Sequence, residues 1–214
     1  MRAELFTEGS NRPGFLVTVD GPNGSGKTYL THALAAALRA EGAAVHSTRQ
    51  PSPSSLGDFV RRAEPTMSGR ALATLVAADR HHQVATEIAT QLREGKIVLC
   101  DRYVESSLVL QRLDGVATRF ILAINAGIPR PDLRLRLTAS PAVIGERLAS
   151  RQPDPERRFE QIGGPERELG LYAEADKLLE RDFGLGAQVY DTSATEAEEL
   201  GRVAADLVVG MRDG

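Results

Sequence analysis

Short apolar runs recur along the chain, separated by longer stretches in which apolar residues return every three or four positions. The first run, Phe15-Leu16-Val17-Thr18-Val19, is too short for a stable helix and is closed by Asp20-Gly21, which predicts a buried strand running into a turn. Over 27–39, Leu30, Ala33, Leu34, Ala37 and Leu38 share one helical face, with Gly42 near the stop. A second strand starts at Val45 and leads into Arg49-Gln50-Pro51-Ser52-Pro53, where two prolines forbid regular helix. Leu72, Val76, Val84, Ile88 and Leu92 draw the stripe of a long helix over 69–94, stopped by Gly95. A strand over 96–100 follows, then helical pieces over 106–113 and 117–126, a strand over 133–137 and a helix from Pro141 to about 150. Charges, prolines and glycines break the pattern over 151–164. Helix resumes over 165–183, with a last strand at 187–190 and a last amphipathic helix at 195–209.

Strands alternating with helices of this length predict an α/β fold. Its parallel sheet is flanked by helices on both faces, with the working residues at the carboxyl ends of the strands. Nothing reads as a linker, so 1–214 is expected to be a single domain, with the polar residues 1–13 a flexible N-terminal extension. The 26 basic and 29 acidic side chains give a net charge of only -3. That argues against a broad footprint for nucleic acid polymers, so a bound polyanion is expected to be small and held locally. No apolar run approaches the roughly 20 residues that cross a bilayer, and the first thirteen residues lack an apolar signal core. A cytoplasmic protein without membrane contact is the expectation. The single cysteine, Cys100, lies in Ile97-Val98-Leu99-Cys100 and reads as a small buried apolar residue rather than a reactive thiol.

Gly21-Pro22-Asn23-Gly24-Ser25-Gly26-Lys27-Thr28 has two glycines four residues apart followed by Lys-Thr, the pattern of a phosphate-binding P-loop. Glycines let the backbone take positive φ and approach an anion closely, so that successive N–H groups and the next helix's N-terminus point at it. Lys27 then reaches the β and γ phosphates of ATP, and the Thr28 hydroxyl takes a Mg2+ position. Tyr29, one residue on, is counted with this ATP-binding set. The motif falls between a predicted strand and a predicted helix, the context its mechanism requires. Asp101-Arg102-Tyr103 directly follows the strand at 96–100, which places a carboxylate and a guanidinium beside the loop. Arg80 lies four residues from both Val76 and Val84, on an apolar stripe, so it needs a partner: Asp101, Asp79 or a ligand.

These motifs, together with Arg49-Gln50-Pro51, Ala77-Ala78-Asp79-Arg80, Ser106-Ser107, Arg130-Pro131-Asp132-Leu133 and Arg158-Phe159-Glu160, stand in the order found in thymidylate kinases. The chain resembles that family of P-loop nucleoside monophosphate kinases from Phe15 to about Val209. The resemblance implies a P-loop kinase fold with a five-stranded parallel sheet, a lid over about 147–164, and a homodimer. It also implies that Arg49 and Arg102 grip the acceptor's phosphate and that Arg80 hydrogen-bonds an exocyclic oxygen of the base. Ser107 would meet the base, and Asp101 would lie near the magnesium ion. Gly24 stands where some members carry a catalytic P-loop arginine, so Arg151, Arg157 or Arg158 of the lid would join Lys27 and Arg102 in catalysis.

Three positions depart from the family pattern. Val76 replaces a phenylalanine that stacks on thymine, Leu110 a tyrosine beside the deoxyribose, and Asn23 an acidic P-loop residue near the acceptor sugar. The acceptor is therefore expected to be dTMP or a modified or different nucleotide. Two further readings stay open. A kinase acting on a hydroxyl would need a carboxylate base, and Asn23 removes one candidate for it. A P-loop ATPase or regulator without a small acceptor would need a partner-binding segment, which the chain does not display.

Overall fold

The computed structural model describes residues 5–7, 13–150 and 158–213. Its centre is a five-stranded, wholly parallel sheet in the order β3-β4-β2-β6-β7. The strands are β2 (Phe15–Asp20), β3 (Val45–Arg49), β4 (Ile97–Asp101), β6 (Leu133–Thr138) and β7 (Gln188–Asp191). Two short strands, β1 (Phe6–Thr7) and β5 (Ile128–Pro129), pair apart from it. The helices are α1 (Lys27–Ala40), α2 (Ser55–Ala63), α3 (Gly69–Gln83), α4 (Ala89–Arg93), α5 (Val104–Leu113), α6 (Thr118–Ile124), α7 (Pro141–Ala149), α8 (Arg158–Gln161), α9 (Gly164–Phe183) and α10 (Ala197–Asp213).

The central strands are apolar on both faces, as a sheet covered on both sides requires. Val17, Val19, Leu99 and Leu135 pack under α1 and α10, against Leu30, Leu34 and Val208. The alternate residues Leu16, Val98 and Cys100 face the other way, against Ile88, Leu108 and Tyr172. Cys100 is wholly buried and free, and burial pushes its thiol well above the usual range, in line with a packing role. In the parallel register Val19 and Arg49 both stand opposite Asp101. The turns after β2, β3 and β4 therefore open at one edge of the sheet.

Several expectations need correction. The helix expected over 69–94 changes pitch: Val84–Ile88 forms a π-turn between α3 and α4. The stripe survives, with Leu72, Ile88 and Leu92 buried. Helix α2, absent from the sequence reading, starts at an N-cap where Ser54 accepts the Gly57 N–H at 3.3 Å. The residues assigned to a flexible N-terminal extension include an anchored piece, because Leu5 and Phe6 are buried and Phe6–Thr7 pairs with Ile128–Pro129. Among the described residues no helix is long and apolar enough to cross a membrane.

Candidate active site

Gly21, Gly24 and Gly26 take φ of 152°, 81° and 89°, and a Cβ on Gly21 would lie 2.6 Å from the Leu137 carbonyl oxygen. Only glycine fits such a turn. It wraps the backbone N–H groups into the N-terminus of α1. Lys27 bends back to donate to the carbonyls of Gly21 at 2.9 Å and Pro22 at 2.7 Å. Burial, reinforced by the nearby Arg102 charge, lowers its pKa to about 7. The Thr28 hydroxyl donates to Asp101 Oδ2 at 2.9 Å, while Asp101 Oδ1 and the Ser25 hydroxyl are buried without a partner among the described residues. A hard cation bound through oxygen fits this donor set. No group of three or more His, Cys, Asp or Glu able to hold a metal occurs among the described residues, so nucleotide oxygens and water would have to complete its shell. Tyr29 is exposed on the first turn of α1.

Arg102, just past β4, has φ of 70°, an uncommon conformation for a residue with a Cβ. Its N–H donates to the Val19 carbonyl at 2.9 Å. Its guanidinium donates to Asn23 Oδ1 at 2.7 Å and to the Ser106 hydroxyl at 3.0 Å. Burial opposes its charge, yet Tyr172, Asp101 and Glu168 nearby raise its pKa above the usual value. Behind it Asp20, ending β2, accepts the N–H groups of Tyr103 and Ser106 and the Ser106 hydroxyl, the last at 2.6 Å. The start of α5 is thereby tied to the root of the P-loop.

A cavity of about 330 Å³ runs from Lys27 and Thr28, past Arg102, to Arg80, Val76, Ser107 and Leu110. Arg80 is buried, and neither expected carboxylate partners it. Asp79 instead accepts the Ser52 N–H at 2.7 Å and the Ser52 hydroxyl at 2.6 Å. Arg80 donates to four neutral oxygens: Gln50 Oε1 at 2.7 Å, the Tyr103 carbonyl at 3.2 Å, the Ser107 hydroxyl at 2.8 Å, and Asn125 Oδ1. Burial lowers its pKa, while the nearby Tyr103, Asp20 and Asp79 act in the opposite sense.

Phe159 and Glu64 also line the cavity. Phe159 donates its N–H to Glu64 Oε1 at 3.3 Å, and burial raises the Glu64 carboxyl's pKa. Arg158 is turned away from the P-loop. It makes a bidentate pair with Asp114 at 2.7 and 2.6 Å and donates to the carbonyls of Glu64 and Met67. Arg49 is exposed at the end of β3 and does not line the cavity. Arg151 and Arg157 lie outside the described residues, with the rest of 151–157, the middle of the segment expected to form the lid.

The structure thus gathers Lys27, Thr28, Asp101, Arg102, Arg80, Ser107, Val76 and Leu110 around one cavity. Sequence reasoning missed Asp20, Gln50, Glu64 and Glu168. A carboxylate at the end of a strand before a P-loop was a usable signal for Asp20. Gln50 stood in the Arg49-Gln50-Pro51 motif without a role, and nothing local marked Glu64 or Glu168.

Comparison with known proteins agrees with this geometry. The sequence model of the family described as "Thymidylate kinase" matches residues 19–165. The "Thymidylate kinase" of Xanthomonas euvesicatoria pv. vesicatoria is 33% identical over 94% of this chain and 86% of its own length. The "Probable thymidylate kinase" of Pyrobaculum calidifontis is 38% identical over 64% of this chain and 70% of its own. That of Pyrobaculum aerophilum is 31% identical over 90% and 95%. With fold, loop and cavity in agreement with these matches, the chain belongs to the thymidylate kinase family of nucleoside monophosphate kinases.

Proposed function

We propose that the protein transfers the γ-phosphoryl group of ATP to dTMP, giving dTDP and ADP. One observation carries the reading: the P-loop and Arg80 open onto the same cavity, with Arg102 between them. A donor phosphate on the loop and a base against Arg80 would put the acceptor's phosphate beside Arg102.

On this reading Lys27 leaves the carbonyls of Gly21 and Pro22 for the β and γ phosphate oxygens. Thr28 and Asp101 would hold Mg2+, which would supply charge neutralisation on the phosphates. Arg102 orients the acceptor phosphate, and Arg49 joins it from the exposed end of β3. Arg80 and Ser107 meet the base, while Val76 and Leu110 form the apolar walls beside base and sugar. The transition state is loose, so holding the two phosphates in line and neutralising the moving group are the main tasks. No general base is needed, because the acceptor phosphate is ionised near neutral pH. The remaining transition-state charge falls to an arginine of the lid over 147–164: Arg151, Arg157, or Arg158 released from Asp114. A homodimer rests on family membership alone.

Steady-state turnover of a panel of nucleoside monophosphates tests the reading. dTMP is expected to give the highest kcat/KM. Another monophosphate exceeding it would reassign the acceptor, and ATP consumption indifferent to any monophosphate would remove the kinase reading. Lys27→Ala should lower kcat by at least about a hundredfold.

A further inference from the structure

Glu168, near the start of α9, is only 5% exposed and has no part in the chemistry above. Its Oε1 accepts the backbone N–H of Asn23, inside the P-loop, at 3.1 Å. Asn23 Oδ1 in turn accepts from Arg102 at 2.7 Å, so a carboxylate, a P-loop residue and a guanidinium form one line from α9 into the cavity. Lys27 and Arg102 are close enough that Arg102 depresses the Lys27 pKa, while the Glu168 charge acts on both in the opposite sense. Asn23 itself is neutral. The carboxylate behind it thus acts on both cations in the same sense as Asp20 and Asp101, at a point where the P-loop contributes no negative charge of its own. Its position is set from the backbone side of Asn23, away from the Oδ1 that Arg102 uses. It can therefore hold Arg102 through Asn23 without competing for the phosphate that Arg102 would bind.

We propose that Glu168 is a positioning residue for the acceptor: it fixes the Asn23 peptide, aims Asn23 Oδ1 at Arg102 and adds to the negative charge that holds the guanidinium ready for a phosphate monoester. The proposal rests on the reading of Arg102 as the grip on the acceptor's phosphate. A purely structural tie between α9 and the loop would use the same hydrogen bond, but it would not depend on which side of the Asn23–Arg102 contact the charge stands. With only 2.7 Å between Asn23 Oδ1 and Arg102, a carboxylate at position 23 would pair with Arg102 directly and make the charge at 168 unnecessary.

The test is steady-state kinetics with dTMP and ATP on four proteins: the unaltered chain, Arg102→Ala, Glu168→Gln and the double variant Asn23→Asp/Glu168→Gln. Glu168→Gln keeps the shape and the acceptor atom but loses the charge. It is expected to raise KM for dTMP about tenfold and leave KM for ATP within about twofold, with most of the dTMP loss recovered in the double variant. Arg102→Ala should raise KM for dTMP at least as much. If Arg102→Ala raises that KM and Glu168→Gln does not, the proposal falls while the phosphate-grip reading stands. If Arg102→Ala leaves it unchanged, both fall. Equal rises in both KM values that the double variant fails to recover also overturn the proposal. Should Glu168→Gln alone lose its folded state, a folded double variant that keeps the high KM for dTMP does the same.

Discussion

Lys27 has two environments available to it. Without phosphate it is buried against two carbonyl oxygens, with a pKa near 7, so at pH 8 it is largely neutral. Phosphate oxygens beside the amine favour its charged form and raise that pKa. Binding of Mg-ATP at pH 8 should therefore draw about one proton from solution, and at pH 6, where Lys27 is already charged, much less. Titration calorimetry in two buffers of different ionisation enthalpy reads this directly, and buffer-independent heats at pH 8 would contradict it. Lys27, Thr28, Asp101 and Arg102 were legible in the sequence because each lies in or directly after a predicted strand–loop motif. The partners of Arg80 were not. Gln50 and Asn125 stand 30 and 45 residues from it, and only the folded chain brings them together.

Among elements, strands and long helices were readable because their apolar periods differ. The π-turn at Val84–Ile88 was not, because a single wide turn scarcely disturbs a stripe of residues three or four apart. Helix α2 escaped because two prolines precede it and it is short, although Leu56, Phe59, Val60 and Ala63 stand at helical spacing. Phe59, one of them, is exposed. Helices α1 and α10 approach closely at Gly201, where a Cβ would stand 2.7 Å from the Ala33 Cβ and 2.9 Å from its carbonyl carbon. Alanine favours helix over glycine by about 1 kcal/mol, but here backbone would have to move to admit it. Gly201→Ala is expected to destabilise the protein by about 1–3 kcal/mol net. Chemical denaturation measures this, and a stabilised variant would show that the helices separate at little cost.

Across the whole molecule, the parallel sheet and its working edge followed from the alternation of strands and helices, but its internal charges did not. Leu133-Arg134-Leu135-Arg136-Leu137 alternates like a strand with one wet face, yet Arg134 is only 2% exposed. It reaches Glu105 on α5 at 2.5 Å and Asp176 on α9 at 2.7 Å, joining the two helices that carry Ser106, Ser107, Glu168 and Tyr172. Periodicity cannot tell a solvated charge from a buried, paired one. The pairing of Arg158 with Asp114 matters at the same scale. Phe159 lines the acceptor cavity, while the next residue towards the N-terminus belongs to the segment expected to close over ATP. On the proposed reading, a ligand against Phe159 and a nucleotide on the P-loop would both act on the Arg158–Asp114 pairing. Linkage makes such an effect reciprocal: if dTMP tightens a non-hydrolysable ATP analogue by some factor, the analogue tightens dTMP equally. Asp114→Asn should bring that factor towards one, as read by binding titrations of each ligand with and without the other. An unchanged factor would place the communication elsewhere. The two substrates would then be in conversation through a single salt bridge.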